Sequence, residues 1–340
     1  MKNLLEPWVL LRLAAGLLAS LLLVRAALTG LRVLRNFDLA RASEGQLALE
    51  RRLDLATTFV RVGAVVQVLS VAFAALGADR LSRGIRGAMC GYGVFQASPW
   101  GFRSLVVTVV VALVAGVLAQ LFAFDARVRS MELVRPLAVA MLALAPLSLV
   151  DLALTTKFLL DLDLTVVASC CSVELDASSV AAEAHAGGPR VLATICALVS
   201  VGAAIGVGLL ASRRPVRPLV AFAGALSLAA FPWAVAAVML EVAPHAFEVP
   251  QHVCPFCLLK PEVMGLGYPL FGAMFLAVLW GVGAGVSGLL ARGPASMEAF
   301  PVFAAGRLRR ASAAWALVLL LGIVPVLRYA MVSGFAPLFR

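Results

Sequence analysis

The residues best placed for chemistry lie in PQHVCPFCLLKPEVMGLGYP, positions 250–269. Cys254 and Cys257 frame a Pro-Phe pair. A CxxC turn lets two sulfurs close one disulfide or share one metal ion. If the turn opens a helix, the positive end of the helix dipole favours a Cys254 thiolate, the species that attacks disulfides. His252, two residues earlier, can tune that thiol or supply an imidazole ligand. A non-cycling structural disulfide is the plain alternative.

A second group of thiols lies in VASCCSVELDASS. Consecutive Cα atoms are about 3.8 Å apart, whereas a disulfide prefers about 4.4–6.8 Å, so Cys170 and Cys171 are poor partners for each other. Cys254, Cys257 and Cys90 are the partners on offer. Cys90 sits in RGAMCGYGVFQASPWGF, whose glycines and aromatic residues suit an interfacial or re-entrant segment. It reads equally as a third thiol of the site or as an inert interfacial cysteine. Cys196 falls inside an apolar run and reads as a helix-packing residue. Met89 and Met264 stand next to these loops, where a cuprous site often adds thioethers. His185 and His245 read as solvated loop histidines. With no histidine inside a predicted span, and with neither a CxxCH nor a P-loop motif, haem is not expected.

The elements that position these groups are membrane helices. Of 340 residues, 62% are hydrophobic and 14% charged, with mean hydropathy +1.01. Apolar runs of about 18 residues or more recur along the chain, each long enough to cross a bilayer. The fold class is all-α: a polytopic membrane protein with about eight spans (seven to nine), at 8–31, 56–77, 104–124, 137–155, 191–211, 218–240, 266–290 and 312–333. The N-terminal run reads as the first span, since Glu6 and Arg12 interrupt it and no cleavage site follows. Residues 32–55 read as an interfacial helix or an extension of the second span. The expected division is 1–136, with N-terminal helices and the Cys90 loop; 137–290, a cysteine-loop bundle; and 291–340, a loop and the last helix.

The net charge of +10 is dispersed among loops, which argues for lipid head groups and against nucleic acid. Arginine is denser in loops 32–55, 125–136, 212–217 and 291–311, which points to those as cytoplasmic. The acidic loop with Asp161, Asp163, Glu174, Asp176 and Glu183 then faces outward, and so do Cys90, Cys170, Cys171, Cys254, Cys257 and all three histidines. That placement suits a bacterial inner membrane with periplasmic cysteine loops. Arg12, Arg25 and Arg61 read as snorkelling side chains or inter-helix anchors, and Asp151 as lying near the outer interface. Gly281, Gly285 and Gly288 read as a close-packing stripe.

SCCSVELDASS followed by GGP, then two spans, then CPFCLLK resembles the vitamin K epoxide reductase family and, more loosely, the bacterial disulfide-generating membrane oxidases. The resemblance covers residues 137–290. It implies that Cys254 and Cys257 cycle between dithiol and disulfide, that a membrane quinone exchanges electrons with them, and that Cys170 or Cys171 hands electrons to or from a thioredoxin-like partner. Two other readings stand beside this thiol–disulfide oxidoreductase. One is a soft-metal protein for copper or zinc, as transporter or assembly factor, with Cys254, Cys257, Cys170, Cys171 and His252 as ligands. The other is a structural subunit of a membrane complex whose cysteines are staples.

Overall fold

A computed structural model describes residues 6–38, 43–85, 88, 90–128, 130–162 and 188–339. The helices are α1 (Pro7–Asn36), α2 (Glu44–Ser82), α3 (Gly91–Gln96), α4 (Gly101–Asp125), α5 (Val134–Leu160), α6 (Gly188–Arg213), α7 (Arg217–Ala237), α8 (Ala243–Phe247), α9 (Gly267–Leu290) and α10 (Pro294–Val332). A π-helical turn, Val238–Val242, joins α7 to α8, so 217–247 runs as one rod. Among the described residues, eight helices are long and apolar enough to cross a membrane, and the protein is an all-α polytopic membrane protein. The described residues of 1–86, 94–168 and 290–300 form one compact unit, and those of 87–93, 169–289 and 301–340 a second.

In the first unit, α1 packs on α2 and α5, and α4 packs on α2 and α5. Small side chains face inward on α1, including Ala15, Gly16, Ala19, Ser20, Ala26 and Gly30. Leu10, Leu17, Leu21 and Leu28 face outward. This arrangement suits a solvent as apolar as leucine, because helices then gain by close backbone approach and large residues gain little by turning inward.

Polar groups are gathered at one point of this unit. Arg12 Nη2 donates to both carboxylate oxygens of Asp151, at 2.9 and 3.0 Å, and reaches Thr108 Oγ1 and Thr155 Oγ1 at 2.9 Å each. Gln67 Nε2 donates to Asp151 at 2.7 Å, and the Thr108 hydroxyl donates to it as well. Arg12 is 3% exposed and Asp151 is fully buried. Arg12 is therefore an inter-helix anchor and not a snorkelling side chain, and Asp151 lies inside the bundle. Partnering explains both positions, since a charge in a low-dielectric interior needs a countercharge and donors around it. Arg61 is a weaker anchor, with Nη2 3.4 Å from the Phe122 carbonyl, and Arg25 is exposed.

In the second unit α6 packs on α7. Gly224 of α7 meets Gly281 and Gly285 of α9 so closely that a Cβ at Gly224 would lie 2.8 Å from the Gly285 Cα. The glycine stripe expected on α9 is thus a packing seam. Trp315 of α10 is fully buried and its indole donates to Ser227 of α7 at 3.2 Å.

Two boundaries are settled by distant or local caps. Of the two readings of 32–55, the extension of the second span is the one realised: from Glu44 these residues belong to α2, whose first turn is capped by Ser43 Oγ accepting from the Gln46 amide at 3.3 Å. The expected loop 291–311 is helical from Pro294 onward. Pro294 suits the first turn, and Glu132 reaches across to accept from the amides of Ala295 and Ser296 at 3.3 and 3.2 Å. Ser296, Phe300, Phe303, Ala304, Leu308 and Ala311 then bury one helical face, which the arginines between them had disguised. These bonds, led by the Ser296 hydroxyl, hold the Glu132 carboxyl below its ordinary range.

Candidate functional site: a buried three-thiol cluster

The site is built from two distant stretches of chain that belong to one unit. One is the segment leading into α3, which ends in Cys90. The other runs from α8 to α9. Glu248 closes α8 in the left-handed conformation, with φ 58°, and turns the chain out of the helix. Cys254 follows in extended conformation, and Pro255 then starts a five-residue 3₁₀ helix, Pro255–Leu259. The Lys260 amide donates to the Cys257 carbonyl at 3.0 Å and closes that turn. Met264 and Gly265 both take positive φ, at 54° and 63°, and return the chain to the start of α9. The CxxC is therefore a tight turn beside a membrane helix and not the first turn of one. A 3₁₀ segment of this length has little dipole with which to favour a thiolate.

The Sγ atoms of Cys90, Cys254 and Cys257 all lie within 4.8 Å of one another. Cys90 and Cys254 are in direct contact, sulfur to sulfur, at 3.2 Å. Cys90 and Cys254 are fully buried and Cys257 is 5% exposed. Tyr92, Phe247 and Phe256 pack against the cluster. Among the described residues, these three supply the converging donors at this point, and each is sulfur. The cluster can hold a thiophilic ion, or it can exchange electrons by closing a disulfide.

The expected site residues fall as follows. Cys254 and Cys257 are together, and Cys90 joins them, so of its two readings the third thiol is the one realised. Cys170, Cys171, His185 and Met89 lie outside the described residues. His252 is half-buried, with its ring stacked on Phe247 at 4.1 Å between centroids and 27° between planes. Met264 is 87% exposed. Cys196 is half-buried on α6.

His245 is not a solvated loop histidine. It lies on α8, at the end of the span 217–247, and is only 9% exposed. Its Nδ1 donates to the Glu241 carbonyl at 2.7 Å, and Tyr329 and Phe339 meet its ring edge-on. Glu241 in turn pairs with Arg190 at 2.7 Å. The π turn prolongs the rod beyond the expected end of the span at residue 240 and carries His245 into the interior. Sequence alone gave no sign of this, since Pro244 in the motif APH reads as a helix stop.

No protein-family model, curated protein or solved structure matches this chain.

Proposed function

We propose that the protein is a soft-metal-binding membrane protein whose ion, copper or zinc, is held by Cys90, Cys254 and Cys257. The observation that carries this reading is the convergence of three buried sulfurs from stretches 164 residues apart in sequence. A two-electron disulfide cycle needs two thiols, whereas a thiophilic ion uses a third. Thiolates about 2.3 Å from a shared tetrahedral ion stand about 3.8 Å from one another. The cluster brackets that spacing, from 3.2 Å for Cys90 and Cys254 to a limit of 4.8 Å for all three pairs. Burial behind three aromatic rings also keeps the sulfurs from a soluble protein's active site. A bacterial inner membrane, with this face periplasmic, is the setting that fits a site for metal handling outside the cytoplasm.

One observation favours the second reading, a thiol–disulfide oxidoreductase. The 3.2 Å contact is shorter than two thiolates across a metal require, and it sets Cys90 and Cys254 ready to oxidise. In that cycle the two thiols lose two protons and two electrons to a membrane quinone, giving one S–S bond and one hydroquinone. A thioredoxin-like partner would then exchange with Cys257 or with Cys170 and Cys171.

The deciding experiment is metal analysis with thiol alkylation and mass spectrometry on protein purified without reductant. About one equivalent of copper or zinc, with the three cysteines alkylated only after the metal is removed, supports the metal site. Metal-free protein carrying a disulfide that reforms on adding a quinone to the reduced chain rejects it in favour of the oxidoreductase.

A further inference from the structure

We infer that the first unit carries a binding site of its own, in which Arg12 holds the carbonyl oxygen of a neutral, apolar membrane molecule. The inference is independent of the metal-binding reading above. It rests on a cleft lined by α1 to α5 and on the edge of the Arg12 guanidinium that the inter-helix anchor leaves unused.

Every hydrogen bond of that anchor runs from Nη2, to Asp151, Thr108 and Thr155. Among the described residues, Nε and Nη1 have no hydrogen-bond partner, although both are buried and Arg12 is 3% exposed. A lysine ammonium gathers its donors on one atom and would serve such an anchor, whereas a guanidinium spreads its donors over a rigid fork. Buried donors without an acceptor are destabilising, so the unused edge calls for an acceptor from outside the chain.

Arg12 lines a cleft with about 400 Å³ of empty space, its open mouth included. Thr108 and Thr155, which bond to Arg12, line it too, and with Ser104 they complete its polar lining. The rest of the described lining is apolar, with Phe95 and Phe158 stacked there at 5.5 Å. Phe73, Ala74, Leu105 and Leu159 are half-buried, so the exposed rim is apolar as well. Such a rim admits molecules dissolved in the bilayer in preference to ions from water. Gly16, one turn along α1, keeps a side chain away from Nη1, since a Cβ there would stand 2.8 Å from that nitrogen.

Charge balance selects the head group. Arg12 is already paired with Asp151 at 2.9 Å, so an anion would bring an uncompensated charge into a low-dielectric interior. A carbonyl oxygen accepts from the idle N–H groups and adds no charge. A membrane offers this chemistry from two sources, the ester of an acyl chain and the ring ketone of a quinone.

The test uses the full chain, stripped of lipid in detergent, and three photoreactive probes: a diacylglycerol, a benzoquinone with a short alkyl tail, and a fatty acid carboxylate. Binding is titrated and the cross-linked residues are mapped by mass spectrometry. A carbonyl probe should label the segments lining the cleft, 73–81, 104–108 and 155–159. Whichever carbonyl probe does so more tightly names the source. Arg12→Lys keeps a cation against Asp151 and removes the idle edge, so affinity should fall about tenfold or more while the melting temperature hardly moves. Ala74→Phe fills the rim without touching the anchor and should block labelling.

Unchanged affinity in Arg12→Lys overturns the inference, because the molecule would then occupy the cleft without Arg12. Tighter binding of the carboxylate than of either carbonyl probe overturns it too, since the site would then be one for anions. Failure of both carbonyl probes to label the cleft leaves water or the chain itself to satisfy Nε and Nη1, and likewise overturns it. Should Arg12→Lys not fold, labelling that survives in Ala74→Phe sinks the site.

Discussion

At the scale of single residues, the thiol cluster and the Arg12–Asp151 pair were unequally visible in the sequence. The CxxC announced itself because its two cysteines are three positions apart in a local turn. Cys90 did not, because its contact with Cys254 spans 164 residues and no local pattern encodes that distance. The same limit applies to Asp151, whose partner Arg12 lies 139 residues away. Removing one partner of this pair leaves an uncompensated buried charge. Arg12→Leu or Asp151→Leu should therefore cost about 3–5 kcal/mol, and the double substitution less than either single one. Reversible unfolding in mixed detergent micelles measures this. Equal or additive losses would show that the pair does not act as a unit.

Among the helices, the apolar periodicity placed the eight candidate spans of the described residues, and the errors fell where a cap or a turn comes from a distant residue. The start of α10 is the clearest case, since the carboxylate that caps it belongs to Glu132 in another loop. Its lowered pKa makes a signed prediction. The folded value lies below the ordinary value of 4.5, so the contribution to stability is present above pH 4.5 and is lost as pH falls through the folded pKa. Glu132→Gln should remove that acid-side slope of the melting temperature, and an unchanged slope would assign it to another group. Gly101 offers a second test. A Cβ there would collide with the carbonyl of Phe95, whose ring stacks on Phe158 at 5.5 Å. Gly101→Ala should displace the end of α3. Because α3 begins one residue after Cys90, the substitution should also weaken retention of the proposed metal ion, whereas Gly306→Ala, with open space at its Cβ, should not.

For the whole molecule, the eight candidate spans among the described residues predict that the two termini emerge on the same side of the membrane. Counting the same described spans predicts Cys90 on one side with Cys254 and Cys257, in keeping with their contact. Reporter fusions at residue 340 and within 250–253 should agree with each other and differ from fusions at 214–216. Disagreement would remove a span. Composition and periodicity carried this much of the fold because lipid demands long apolar helices whatever else the chain does. The partners inside the bundle depend on side chains that meet only once those helices are assembled. The π turn at Val238–Val242 adds a last consequence. Such a turn is an α-helix holding one spare residue, and the helix on either side keeps its facing if that residue is taken out. In the other spans, losing one residue swings everything beyond it through about 100°, the angular step of a helix with 3.6 residues per turn. The sixth span is thus the place where evolution, or an engineer, can shorten this protein by one residue and leave the thiol cluster where it stands.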